Sequence, residues 1–181
     1  MTIKANEVYR TLREGLRPWF QAEGFRRTKG GMLGWYKAVR EAYLVVGFYC
    51  MPPAGGDPFY GSSFTVQFEL SRTSSIGASN VARLDTLLSQ AQLNRLLDIQ
   101  NAVVAKLKKP DKNHHIFRTP QVLIDQYLSE FEPLTRDKVH WYNQWLSYHD
   151  AEDVRQWTKF LLELFPELVN SFMDSATPGT D

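Results

Sequence analysis

The chain has 181 residues, 43% hydrophobic and 23% charged, with a formal net charge of +1 and one cysteine. This is the composition of a globular domain with enough apolar residues for a real core, and so small a net charge gives no global field to steer it onto nucleic acid or an anionic membrane. One thiol excludes an intramolecular disulfide framework, and the longest apolar run, Tyr43 to Met51, falls far short of the ~20 residues of a membrane-spanning helix.

Val8, Leu12, Leu16 and Phe20 recur every fourth residue and predict an amphipathic helix from about Asn6 to Glu23, with Gly24 placed as its left-handed C-terminal cap. Pro18 lies inside it and predicts a kink or break near Gly15 to Pro18, because proline removes a donor and crowds the preceding turn. Two strands follow, Phe25 to Thr28 and Leu33 to Val39, joined by a turn at Lys29, Gly30 and Gly31.

Tyr43 to Cys50 and Ser63 to Ser71 then form the hairpin around which the chain is organised. Phe64, Val66, Phe68 and Leu70 alternate with Thr65, Gln67, Glu69 and Ser71, a period-two pattern with one buried and one wet face, and Leu44, Val46, Phe48 and Cys50 match the buried set. The four strands make an antiparallel meander, each connection short enough to join neighbours.

Past Ser71 the period lengthens to three and four. The apolar positions between Leu84 and Leu107 predict a short helix and then a longer one starting at a Ser89/Gln92 capping box, with Lys106, Lys108 and Lys109 suited to its negative end. Asp111 to Arg118 reads as loop. Thr119 and Pro120 read as N-cap and first-turn proline of a helix carrying Leu123, Tyr127, Leu128 and Phe131. Val139 to Tyr148 fits either a strand or a helix face, and its β-branched and aromatic content favours strand. The last helix is capped by Asp150, bears Glu152 and Asp153 in its first turn, and presents Val154, Trp157, Leu161, Phe165, Leu168 and Phe172; Pro166 should bend it.

The expectation is an α+β fold: one domain over residues 1–173, an antiparallel sheet of four or five strands packed by the N-terminal helix and the C-terminal helices, and a disordered tail over 174–181. The opening residues lack the apolar stretch of a signal peptide, so the expected setting is the cytoplasm.

Trp19 to Phe25, the loop and strand from Asp57 to Phe68, Ile99 to Val103 and Tyr148 to Trp157 together resemble an uncharacterised bacterial domain-of-unknown-function family, the one numbered 4304. The likeness runs from about Glu7 to Phe172 and rests on aromatic and glycine patterns. It implies a shared fold and a bacterial cytoplasmic setting, and brings no activity and no catalytic residues with it.

Candidate chemistry is sparse. His149, Asp150, Glu152 and Asp153 form the densest cluster of acid, base or ligand groups, with His140 nearby in sequence, and a hydrolase or nuclease-like site would use His140, His149, Asp150 and Asp153. The simpler account is an acidic helix start. No common zinc motif is present, so no metal and no cofactor is expected. Lys106, Lys108, Lys109, Lys112 and Arg118, with His114 and His115, offer a basic patch for phosphates, yet no aromatic side chain is interleaved before Phe117. Cys50 shares the inward face and reads as an unreactive thiol.

The long link from Met51 to Ser62 carries Asp57, Phe59 and Tyr60, either as exposed anchors for another protein or as a lid folded over the sheet edge. Sequence alone therefore favours a non-enzymatic protein-interaction module, then the hydrolase reading, then weak nucleic-acid binding, with no membrane partner.

Overall fold

The computed structural model describes residues 3–30, 32–51, 58–77, 81–135 and 145–176. The opening apolar stripe forms α1 (Ala5–Ala22), which buries Val8, Leu12, Leu16 and Phe20 completely. Gly24, at φ 79°, donates its N–H to the Gln21 carbonyl (3.1 Å), and Phe25 donates to Phe20 (2.8 Å), which satisfies the last carbonyls of the helix. The helix runs unbroken through Pro18. An interior proline costs about 3 kcal/mol, and four fully buried apolar side chains at roughly 1.5–3 kcal/mol each outweigh it.

The meander forms as β1 (Arg26–Arg27), β2 (Leu33–Val39), β3 (Ala42–Cys50) and β4 (Ser62–Ser71), all antiparallel, with Trp35 opposite Val46 and Val46 opposite Phe68. Two further strands enlarge the expected sheet to six. Both β5 (Val81–Arg83) and β6 (Leu146–Tyr148) pair with the far edge of β4, β5 at Gln67–Glu69 and β6 at Ser62–Phe64. Each is only three residues long, too short for an alternation to stand out in the sequence. Of the predicted strand Val139 to Tyr148, residues 146–148 are β6, while 139–144 lie outside the described residues.

The helices of the second half are α2 (Leu84–Leu87), α3 (Gln90–Val104), α4 (Gln121–Ser129) and α5 (Ala151–Ala176). The Ser89 hydroxyl accepts from the Gln92 N–H (3.4 Å) while Gln92 Oε1 accepts from the Ser89 N–H (2.8 Å), the capping box the sequence predicts. Three boundaries differ from expectation. Since α3 ends at Val104, Lys106, Lys108 and Lys109 lie past its last turn. Thr119 does not cap α4: Pro120 holds that position, and the Thr119 hydroxyl donates to the Ile116 carbonyl (2.6 Å), closing a short 3-10 turn over His115–Arg118. Finally, α5 extends past Asp174 to Ala176, into the stretch expected to be tail.

On one face of the sheet, α1 and α5 pack a dense aromatic core. Phe20 stacks on Trp35 (4.3 Å between centroids), Phe165 lies 5.1 Å from Phe20 and 6.2 Å from Phe68, and Phe172 lies 5.9 Å from Phe68. Gly15 permits the close crossing of the two helices, for a Cβ there would overlap the Thr158 side chain.

The opposite face is not the wet surface that alternation implies, since Val45, Thr65 and Glu69 are buried on it. Gly34 and Gly47 pair across β2 and β3 and leave a trough that Ile76 fills; a Cβ on Gly34 would stand 2.8 Å from Ile76 Cδ1. Glu69 fastens the loop carrying Ile76 by accepting from the Gly77 N–H (2.8 Å) and the Tyr49 hydroxyl (3.0 Å). The fold is α+β with an antiparallel sheet, and among the described residues no helix is long and apolar enough to cross a membrane.

Candidate functional site

The acidic cluster is consumed by the start of α5. Asp150 Oδ1 accepts from the backbone N–H of Glu152 (2.8 Å) and Asp153 (3.0 Å), and Asp153 Oδ2 accepts from the N–H of His149 (2.8 Å) and Asp150 (3.1 Å). Asp153 is fully buried, and its other oxygen takes the Lys106 ammonium at 2.5 Å, tying the end of α3 to the start of α5. Burial pushes the Asp150 carboxyl upward, but the N–H groups of Asp153 and Glu152 and the charge of Lys106 outweigh it, so the net shift is down. Lys106 is raised, chiefly by its hydrogen bond to Asp153. Thus Asp150, Asp153 and the His149 main chain meet as a helix cap, and His140 lies outside the described residues.

The basic stretch is a solvated rim. Lys106, Lys108, Lys109, Lys112 and Arg118 are exposed, with Lys106 committed to Asp153. His114 turns inward: its Nδ1 accepts from the Ile116 N–H (3.3 Å) and its ring stacks on Tyr127 at 5.6 Å.

The aromatic pair of the long link is half-buried against this part of the chain. Phe59 meets His114 edge-on at 5.0 Å, and Tyr60 lies 5.5 Å from Tyr127 and 6.2 Å from Phe131. Asp57 lies outside the described residues.

Tyr60 also forms one wall of a cavity of about 500 Å³ that the sequence reading missed. Ser62 and Ser63 at the start of β4 and Ser147 of β6 line it from the sheet side, and Gln100 and Val104 line it from α3. Met51, Trp145, Pro133 and Leu134 supply apolar wall, and Ser129, Glu130 and Glu132 come from the end of α4 and the turn after it. Its framework is fixed. Gln100 donates from Nε2 to the Ser147 hydroxyl (2.6 Å) and accepts the Ser147 N–H at Oε1 (3.1 Å), while the Trp157 indole donates to the Ser147 carbonyl (2.7 Å). Asn101 holds the rim by exchanging two hydrogen bonds with the Leu134 main chain (3.1 and 2.8 Å). Gly61, at φ 86°, is pressed so closely on the Tyr148 carbonyl that a Cβ has no room, which seats the entry of β4 against β6.

Glu130 is the chemically unusual group of this wall. The residue is half-buried, and its carboxyl pairs with nothing among the described residues and is raised above the ordinary carboxylate value by burial. The only sequence signal for the site is the pair of small residues Ser62 and Ser63 opening an otherwise bulky strand, which leaves space where β4 begins.

Fold and site together define an α+β protein whose antiparallel sheet is filled on one face and hollow at one end. Comparisons with family models, with curated proteins and with solved structures find no match to this chain.

Proposed function

We propose that the protein is a non-enzymatic binding module whose ligand site is the cavity between the β4/β6 end of the sheet, α3 and α4. The observation that carries this reading is the cavity: about 500 Å³, within the range of small-molecule sites, with mainly apolar walls and a few convergent polar groups. Two features favour it over the alternatives. Asp150 and Asp153 are spent on a helix cap and an ion pair, which removes two of the four residues a hydrolase site would use. Phe59 and Tyr60 are spent on contacts within the chain, which favours a recessed site over a flat protein-docking surface. The resemblance to the uncharacterised family supplies no catalytic residues against this reading.

The test is a fragment library screened by thermal shift against the natural protein and Ser129→Phe, which puts a ring into the cavity from the end of α4. Fragments that raise the melting temperature of the first and not the second support the cavity as the site. Fragments that stabilise both equally place binding elsewhere and overturn the proposal.

A further inference from the structure

We propose that the cavity takes a small organic cation, an apolar body carrying an ammonium group, with Glu130 as counter-ion and the rings of Tyr60 and Trp145 as walls. The inference rests on the reading of the cavity as the binding site. Charge complementarity carries it: among the described residues, those lining the cavity include two acids, half-buried Glu130 and exposed Glu132, and no lysine, arginine or histidine. A carboxylate drawn partly out of water gains from a counter-ion, because desolvating a charge without one is costly. Glu130 has none among the described residues, and desolvation alone lifts its pKa. An ammonium entering the cavity would supply that partner.

The rest of the wall suits the same ligand. Tyr60 and Trp145 put aromatic residues in the wall, and aromatic rings attract a desolvated cation. Met51, Val104, Pro133 and Leu134 match an apolar body, and the Ser62, Ser63 and Ser129 hydroxyls can accept from an ammonium's remaining protons. An anion would meet the like charge of Glu130 there. The volume sets the size class: it accommodates a molecule of one or two rings, not a folded partner.

Calorimetric titration with three probes of one shape tests the charge: 2-phenylethylamine, 2-phenylethanol and 3-phenylpropionate, each at pH 7.5 against the natural protein, Glu130→Gln and Glu132→Gln. The expected result is that the amine binds tightest, that Glu130→Gln weakens it by about tenfold or more, as loss of a charge-assisted contact does, and that the alcohol is indifferent to the change. Glu132→Gln, at an exposed position, should have the smaller effect. Should Glu130→Gln melt early, Glu130→Asp reads the same contact, since it keeps the charge and withdraws it by one methylene. An alcohol or propionate that binds as tightly as the amine, or an amine affinity unmoved by Glu130→Gln, overturns the cation inference and leaves the cavity reading standing. No binding by any of the three overturns the cation inference, and the fragment screen then decides the cavity reading by itself.

Discussion

The middle and the beginning of β4 show what the same strand does when it is packed for stability and when it is not. At its middle, Phe64, Val66 and Phe68 are fully buried beneath α1 and α5, each ring or branch meeting another. At its beginning, Ser62 and Ser63 line a hollow that α3 and α4 roof without filling. The hollow is held open by hydrogen bonds rather than closed by side chains, through Gln100 with Ser147 and Asn101 with Leu134. Natural interiors are close-packed, so a framed space beside a close-packed core points to use rather than to poor packing.

Substitutions should separate the two regions sharply. The largest effect belongs to the filled face, where Phe68→Ala should cost about 3–5 kcal/mol and lower the melting temperature by roughly 10 °C. A loss below about 1 kcal/mol in urea titration would show that the face is not packed as described.

Gly61→Ala comes next, at about 1–3 kcal/mol from the left-handed backbone, with the crowding against the Tyr148 carbonyl added. Because that contact seats β4 on β6, hydrogen exchange should quicken at Ser147 and Tyr148 and stay unchanged in α1.

A titration contrast is smaller. Burial pushes the Cys50 thiol up to about 11, an effect its contact with the Tyr9 hydroxyl only partly offsets, so the folded protein holds a proton that the unfolded chain sheds from about pH 9. This contribution to stability is complete below about pH 9 and lost as the pH rises toward 11. Urea titrations at pH 8, 9.5 and 11 should show a decline that Cys50→Ala flattens.

The smallest effect has the opposite sign. The folded pKa of Glu130 is also raised, so at neutral pH its burial disfavours the charged form, and Glu130→Gln should leave stability unchanged or raise it by up to about 0.5 kcal/mol. A clear loss would mean that the carboxylate has a structural partner, and would bring the hollow closer in kind to the core.

How much of this could be read from the sequence follows from how each part is encoded. Where one stretch of chain repeats its own period, as in the Val8-to-Phe20 stripe, the alternation of β4 and the Ser89/Gln92 box, the element is legible. The α+β class follows from the same signals. Burial of Glu69 was not legible, because it depends on Ile76 and Gly77 folding back over the paired glycines Gly34 and Gly47. The cavity was least legible of all. Its wall gathers Met51, Ser63, Gln100, Glu130, Trp145 and others from segments with no common period, and Glu130 in the sequence looks like one more helix-end acid. Conversely, the acids at Asp150 and Asp153 drew notice through their density, which is the ordinary chemistry of a helix start.

If the hollow end of the sheet is where a ligand binds, NMR titration of the labelled protein with 2-phenylethylamine shows it most directly. The predicted result is saturable shifts at Tyr60, Ser63, Gln100, Glu130 and Trp145, including the Trp145 indole N–H, with the signals of α1 and of the filled face unmoved. Shifts confined to the rim from Lys108 to Arg118, or to α1, with the cavity signals still, would contradict it.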